Sequence, residues 1–175
     1  MTNEVLPKNW LELFDESYKK VKDNAVSLPY PSAVRLATAS KFGDPSLRMV
    51  LLKSYDERGF VIYTNMNSRK GKEIQDNPAV AMLFYWPEIN QQILVEGAVE
   101  MISDEESDNY FQSRPFFSQI GAHSSKQSSA MKHILEFVSR MIFYTIRYAF
   151  KSKVDRPKFW RGFRVLPSRI EFSSI

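Results

Sequence analysis

The sequence predicts a mainly β fold with flanking helices, a small antiparallel barrel of Greek-key type. Three observations predict it. Apolar–polar alternation or short apolar runs recur in segments between residues 33 and 101, which is strand patterning. The turns separating the first of these, Phe42-Gly43-Asp44-Pro45 and Asp56-Glu57-Arg58-Gly59, are short enough for hairpins and too short for parallel crossovers. A small barrel is the natural closure for such a run of strands. At 175 residues, 43% hydrophobic, the chain is expected to form one domain over 1–175 with its own core.

The elements follow in order. Trp10, Leu11, Leu13, Phe14, Tyr18 and Val21 have helical spacing, and Pro29 and Pro31 end that region. Residues 33–39, 47–52 and 60–64 read as three strands. Residues 67–76 read as a short helix closed by Asn77-Pro78. The continuous apolar run 79–86 is consistent with a buried strand, and 91–101 alternates again. Ser103-Asp104-Glu105-Glu106 is a capping-box start for a helix that Pro115 ends. The longest helical pattern runs from Ser128 to about Phe150, and Asp155-Arg156-Pro157 breaks it. Residues 163–165 and 169–172 read as two final strands.

Composition excludes several classes of chemistry. There is no cysteine, hence no disulfide, thiolate metal site or cysteine nucleophile. His123 and His133 are the only histidines, and a spacing of ten fits no local metal motif. No metal site is expected. Residues 1–12 lack a signal-peptide pattern. The most apolar stretch, 141–150, contains Arg147 and is half the length of a membrane span. The expectation is a soluble, cytoplasmic protein with no membrane partner. Charge is uneven: from Lys132 onward there are 10 Lys/Arg against 3 Asp/Glu. This pattern fits a solvated basic face, a nucleic-acid surface or an anionic small ligand.

Three clusters bear on an anion. Arg48-Met49-Val50-Leu51-Leu52-Lys53 places cations at both ends of an apolar strand, either as solvent-facing charges or around an anion. Five residues apart, Arg48 and Lys53 fall on opposite faces under strict alternation. Asn67 or Ser68 can cap the next helix, yet Arg69, Lys70 and Lys72 crowd its first turn, where the dipole disfavours cations. A phosphate there would resolve the conflict, although exposed cations also tolerate the misfit. Tyr110 and Arg114 share one face of a helix, and Ser118 follows Pro115. Together they could clamp a phosphate; alternatively the guanidinium packs along an aromatic ring. No side chain stands out as an acid–base pair, and no catalytic residue is identified.

Taken together, RMVLLK (48–53), YTN (63–65), SRK (68–70), QILVEG (92–97), YFQSRPFFSQIGA (110–122), SKQSS (125–129), FWRGFRV (159–165) and IEF (170–172) resemble the pyridoxine/pyridoxamine 5′-phosphate oxidase family. The resemblance implies an FMN-binding split β-barrel that forms a homodimer with FMN at the subunit interface. It assigns FMN contacts to Arg48, Met49, Val50, Leu51, Leu52, Lys53, Tyr63, Thr64, Ser68, Arg69, Lys70, Gln92, Gln127 and Ser128. Arg69 and Lys70 would hold the FMN phosphate. It assigns the substrate phosphate to Lys53, Tyr110, Arg114 and Ser118. The implied reaction oxidises pyridoxamine or pyridoxine 5′-phosphate to pyridoxal 5′-phosphate, with O2 as acceptor and the flavin carrying the redox chemistry. The implied partners are a second copy, B6 vitamer phosphates and O2, with no nucleic acid.

Departures from the family pattern qualify this. Family members carry a Trp where this sequence has Ser173, followed by an Arg-Leu-His-Asp-Arg run, whereas this sequence ends at Ile175. They often carry a basic arm before the first helix. Residues 137–150 are also more apolar than the family leads one to expect, as for added packing or a partner surface. The alternative expectation is therefore an FMN- or vitamer-binding homologue with impaired turnover.

Overall fold

The computed structural model describes residues 8–24, 31–125 and 134–174. The chain divides into two compact units, one of residues 1–62, 73–100 and 163–175, the other of 63–72 and 101–162.

The first unit carries most of a seven-stranded sheet, ordered β2-β1-β5-β6-β7-β4-β3. Its strands are β1 (Ala33–Ala39), β2 (Pro45–Leu51), β3 (Ser54–Asp56), β4 (Gly59–Asn65), β5 (Ala79–Trp86), β6 (Gln91–Met101) and β7 (Trp160–Ser174). β1 lies antiparallel to β2, with Ala33 opposite Leu51 and Ala39 opposite Pro45, and antiparallel to β5 on its other side. β5 pairs antiparallel with β6, and β3 with β4. The two edge strands, β2 and β3, are consecutive in sequence, so the sheet curls toward closure. The chain changes sides between them. Leu52 N–H donates to Ser32 O at 2.8 Å, and Lys53 N–H to Val61 O at 2.9 Å.

Helix α1 (Trp10–Asp23) buries Trp10, Phe14, Ser17 and Val21, the one-face spacing expected of an amphipathic helix. Phe14 is fully buried and meets Tyr55, Phe60 and Phe84 edge-on at 4.8–5.0 Å. Emptying such a site costs about 3–5 kcal/mol. β5 was expected to be buried throughout, but it alternates: Val80, Met82, Phe84 and Trp86 are buried while Ala79 and Tyr85 are exposed. Its residues are apolar on both faces, and only one face is covered by this chain's core.

The two expected final strands are one continuous strand, β7, running through Pro167. Proline usually interrupts a ladder. Here glycines sit beside it: a Cβ on Gly59 would lie 2.0 Å from Val165 O, and one on Gly97 2.0 Å from Leu166 O. Glycine lets the backbones close in where proline would otherwise break the strand.

The second unit holds α3 (Asp104–Ser113), α4 (Phe116–Ser124) and α5 (Ile134–Tyr148), with the first turn of α2 (Arg69–Asp76). Its core is Phe111, Ile120, Tyr148, Val154 and Trp160. The expected N-cap holds: Ser103 Oγ accepts from Glu106 N–H at 3.0 Å. α4 was not expected, because Pro115 read only as a stop. It occupies the cap of α4 in an extended conformation, where its missing N–H costs nothing. Of the expected helix 128–150, residues 128–133 lie outside the described residues. No helix among the described residues is long and apolar enough to cross a membrane.

Candidate functional site

The second unit contains a cleft of about 250 Å3 lined by Asn65, Arg114, Ser118, Gly121, Ala122, Ser125 and Trp160. Arg114 ends α3, and α4 begins two residues later, so the corner between them forms the floor of the site. Buried Gln119 holds this corner: its Nε2 donates to Arg114 O at 2.7 Å and to Gln112 O at 3.3 Å. The Arg114 guanidinium lies 4.8 Å from the Trp160 ring and 5.6 Å from Phe111. Trp160 continues a stack through Tyr63 at 4.9 Å to Tyr110 at 4.1 Å.

Of the two sequence readings of Arg114, the packing along aromatic rings is observed. The guanidinium packs on aromatic rings, and its Nη1 is buried with no hydrogen-bond acceptor among the described residues. Burial lowers the Arg114 pKa, partly opposed by Tyr110; burial likewise raises that of Tyr110, opposed by Arg114. A desolvated cation with an unsatisfied donor is costly unless an anion meets it. Ser118 is exposed in the first turn of α4 and supplies a hydroxyl to the same cleft.

A second cluster sits where β4 runs into α2. Ser68 is fully buried and caps the helix, its Oγ accepting from Gly71 N–H at 3.2 Å. Lys70 Nζ reaches Thr64 Oγ1 at 3.2 Å and Ser68 Oγ at 3.5 Å. Arg69 is exposed beside them. An ammonium, a guanidinium, two hydroxyls and a helix N-terminus form a donor set suited to a phosphate dianion.

The remaining expected residues among those described lie in the first unit. Arg48 Nη1 donates to Leu36 O at 3.0 Å and Thr38 Oγ1 at 2.7 Å, and its Nη2 to Ser46 Oγ and, at 3.3 Å, Glu73 Oε2. Glu73 is buried and also accepts from Thr38 and Ser46 at 2.5 Å each. The anion that the sequence leads one to expect near Arg48 thus includes a carboxylate of the chain itself. Met49 and Leu51 are exposed on one face of β2, and Val50 lies on the other. Leu52 is buried and Lys53 exposed beyond the strand end. Alternation cannot relate Arg48 to Lys53, because the backbone changes partners between β2 and β3. Gln92 stands opposite Tyr85 on β6. Gln127 and Ser128 lie outside the described residues.

Sequence reasoning gave no role to Asn65, Gln119, Trp160 or Glu73. Asn65, Gln119 and Trp160 were within reach, since all three sit inside quoted motifs. Glu73 acts through a partner 35 residues away in sequence, which no local pattern marks.

The family model for pyridoxamine 5′-phosphate oxidase matches residues 22–145. A pyridoxine/pyridoxamine 5′-phosphate oxidase of Trichormus variabilis is 48% identical over 150 residues, covering 85% of this chain and 69% of that protein. One of Ehrlichia chaffeensis is 46% identical over 171 residues, covering 96% and 84%. Among solved structures, PhzG from Burkholderia lata, in complex with tetrahydrophenazine-1-carboxylic acid, is similar with a TM-score of 0.85 at 25% identity, covering 98% of this chain and 86% of that one. A pyridoxamine 5′-phosphate oxidase-related, FMN-binding protein from Nostoc punctiforme shares the fold, with a TM-score of 0.74 at 16% identity over 98% of this chain and 87% of that one.

Proposed function

This chain belongs to the pyridoxamine 5′-phosphate oxidase family, and on that premise we propose that it oxidises pyridoxamine and pyridoxine 5′-phosphates to pyridoxal 5′-phosphate with FMN and O2, in the making or salvage of vitamin B6. The observation that carries this reading is the buried, unsatisfied Nη1 of Arg114 beside a cleft that also holds the Ser118 hydroxyl. Arg114, Ser118 and Tyr110 bind the substrate's 5′-phosphate. The Trp160–Tyr63–Tyr110 stack keeps the guanidinium from swinging away. Phosphate binding energy, gained far from the reacting carbon, goes into holding that carbon in place.

The chemistry of the α2 donor set fits the phosphate of FMN, which Ser68, Arg69 and Lys70 would hold with Thr64 behind them. FMN, when bound, supplies the two-electron acceptor that none of the twenty side chains provides. Purified protein should therefore bind FMN, and Arg69→Ala should weaken FMN by about 10–150-fold, the equivalent of roughly 1.5–3 kcal/mol. Riboflavin, which has no phosphate, should bind wild type and variant alike. Equal losses for both flavins in a calorimetric titration would refute a phosphate role for Arg69. Formation of pyridoxal 5′-phosphate and peroxide from pyridoxamine 5′-phosphate is the direct test of the activity.

We also propose a homodimer formed through the outer face of the sheet. Leu47, Met49 and Leu51 are exposed on edge strand β2. The register places Met49 beside Arg35 and Leu83, and Leu47 beside Ala37 and Ala81. An apolar sheet face of this extent, ending in an open edge, supports burial against a second copy. Met49→Asp should give a monomer in sedimentation at concentrations where the parent chain is dimeric. A parent chain that sediments as a monomer would overturn the assignment.

A further inference from the structure

Helix α5 turns its more aliphatic side outward. Its inner side, with Tyr148 buried and Met141 and Tyr144 half-buried, packs on the second unit's core, and His123 of α4 meets Tyr144 at 4.9 Å and Tyr148 at 5.4 Å. Ile134, Leu135, Val138, Ile142 and Ile146 share a broad outer arc at helical spacing and are exposed, Leu135 by 73% and Ile146 by 67%. The polar strip is narrow: Glu136 and Arg140, paired at 3.3 Å, and Arg147. An ordinary surface helix has the opposite arrangement.

The helix ends in cations. Arg147 and Lys151 lie 6.0 and 5.3 Å from the Tyr148 ring. Between them in sequence stands Phe150, 98% exposed. Lys153 and Lys158 follow, both exposed. From Ile134 to Lys158 there are six Lys/Arg against two Asp/Glu. With Arg140 paired to Glu136 and Arg156 to Asp104 and Asp108, the exposed cations at this end are Arg147, Lys151, Lys153 and Lys158.

We propose that α5 is a peripheral membrane contact that lies flat on an anionic lipid bilayer, its aliphatic arc and Phe150 in the acyl boundary and its basic end among the headgroups. Charge selects this occupant. An apolar arc alone would suit any apolar partner, but the adjoining cluster of exposed cations matches a surface whose apolar and anionic layers lie side by side. The 15-residue helix is about 22 Å long, too short to span and long enough to lie in the interface. The sequence-level expectation of no membrane contact rested on span length, and a helix in the interfacial plane needs no span.

The full chain should co-sediment with vesicles of phosphatidylcholine mixed with phosphatidylglycerol at least about tenfold more tightly than with phosphatidylcholine alone, and added salt should weaken the binding. Ile142→Glu combined with Ile146→Glu should abolish it. Both positions are exposed, so circular dichroism should report a folded chain. Phe150→Trp provides a local probe. The native tryptophans Trp10, Trp86 and Trp160 are buried, so a blue shift on adding anionic vesicles would come from position 150. Equal binding to neutral vesicles would overturn the proposal. So would an absence of both binding and blue shift. Self-association that the double variant removes, without vesicle binding, would overturn it in favour of a second copy.

Discussion

Replacing Arg114 with alanine is expected to lower kcat/KM for pyridoxamine 5′-phosphate by about 10–150-fold, mainly through KM, as for the loss of one or two charge-assisted hydrogen bonds. The argument starts from solvation. A guanidinium half-buried against Trp160 and Phe111 has already given up part of its water, and its Nη1 has no acceptor among the described residues. On the proposed function, a substrate phosphate would meet a donor that needs little further desolvation, and the Gln119 bonds to Arg114 O and Gln112 O already fix the backbone beneath it. Arg114→Lys keeps the charge but loses the planar stacking and the fork, so it should recover only a minor part of the activity. The discriminating substrate is pyridoxamine without phosphate. Its slow turnover should be the same in wild type and Arg114→Ala, because the contact that differs is absent. If both substrates lose activity equally, Arg114 supports the fold of the cleft rather than holding phosphate.

The strands were legible because their signals are local. Residues 79–86 and 91–101 match β5 and β6 to the residue, with apolar content marking one and alternation the other. The N-cap at Ser103 was readable for the same reason. What escaped depended on non-local partners. Pro167 splits β7 in any local reading, and only the glycines on residues 59 and 97 of the neighbouring strands explain its continuity. Pro115 serves two helices, and sequence shows only that it ends one. The site divides in the same way. Arg69 with Lys70, and separately Arg114 with Ser118, are recognisable from residue type and spacing as two candidate places for an anion. That Arg114 is half-buried on Trp160, 46 residues away, is a fact of packing. Arg48 is the sharpest case. Its charge in an apolar strand points to an anion, but not to Glu73 of its own chain.

That pairing leads to the other large effect. Glu73→Ala is expected to destabilise the protein by about 3 kcal/mol, the lower end of the range for breaking a buried ion pair. Glu73 is only 6% exposed, and one carboxylate oxygen accepts from Thr38, Ser46 and Arg48 together. Removing it takes the shared carboxylate from two hydroxyls and from a guanidinium that keeps the neutral acceptors Leu36 O, Thr38 Oγ1 and Ser46 Oγ at the sheet's open edge. The Arg48 side chain keeps 20% of its exposure, so water relieves part of the loss, which is why the low end applies. Glu73→Gln retains an acceptor for the hydroxyls and drops the charge, and should cost less than half as much. Arg48→Met should destabilise by more than an exposed arginine would, because it leaves Glu73 as a buried carboxylate without its cation. The double variant Glu73→Leu with Arg48→Met should be more stable than the sum of the single losses predicts, since neither charge is then stranded. Urea titrations of the wild type, Glu73→Leu, Arg48→Met and the double variant, compared at a common m-value, give the coupling. Strict additivity would mean that Arg48 and Glu73 act independently, leaving Arg48 an anion-binding side chain with no structural role at this edge.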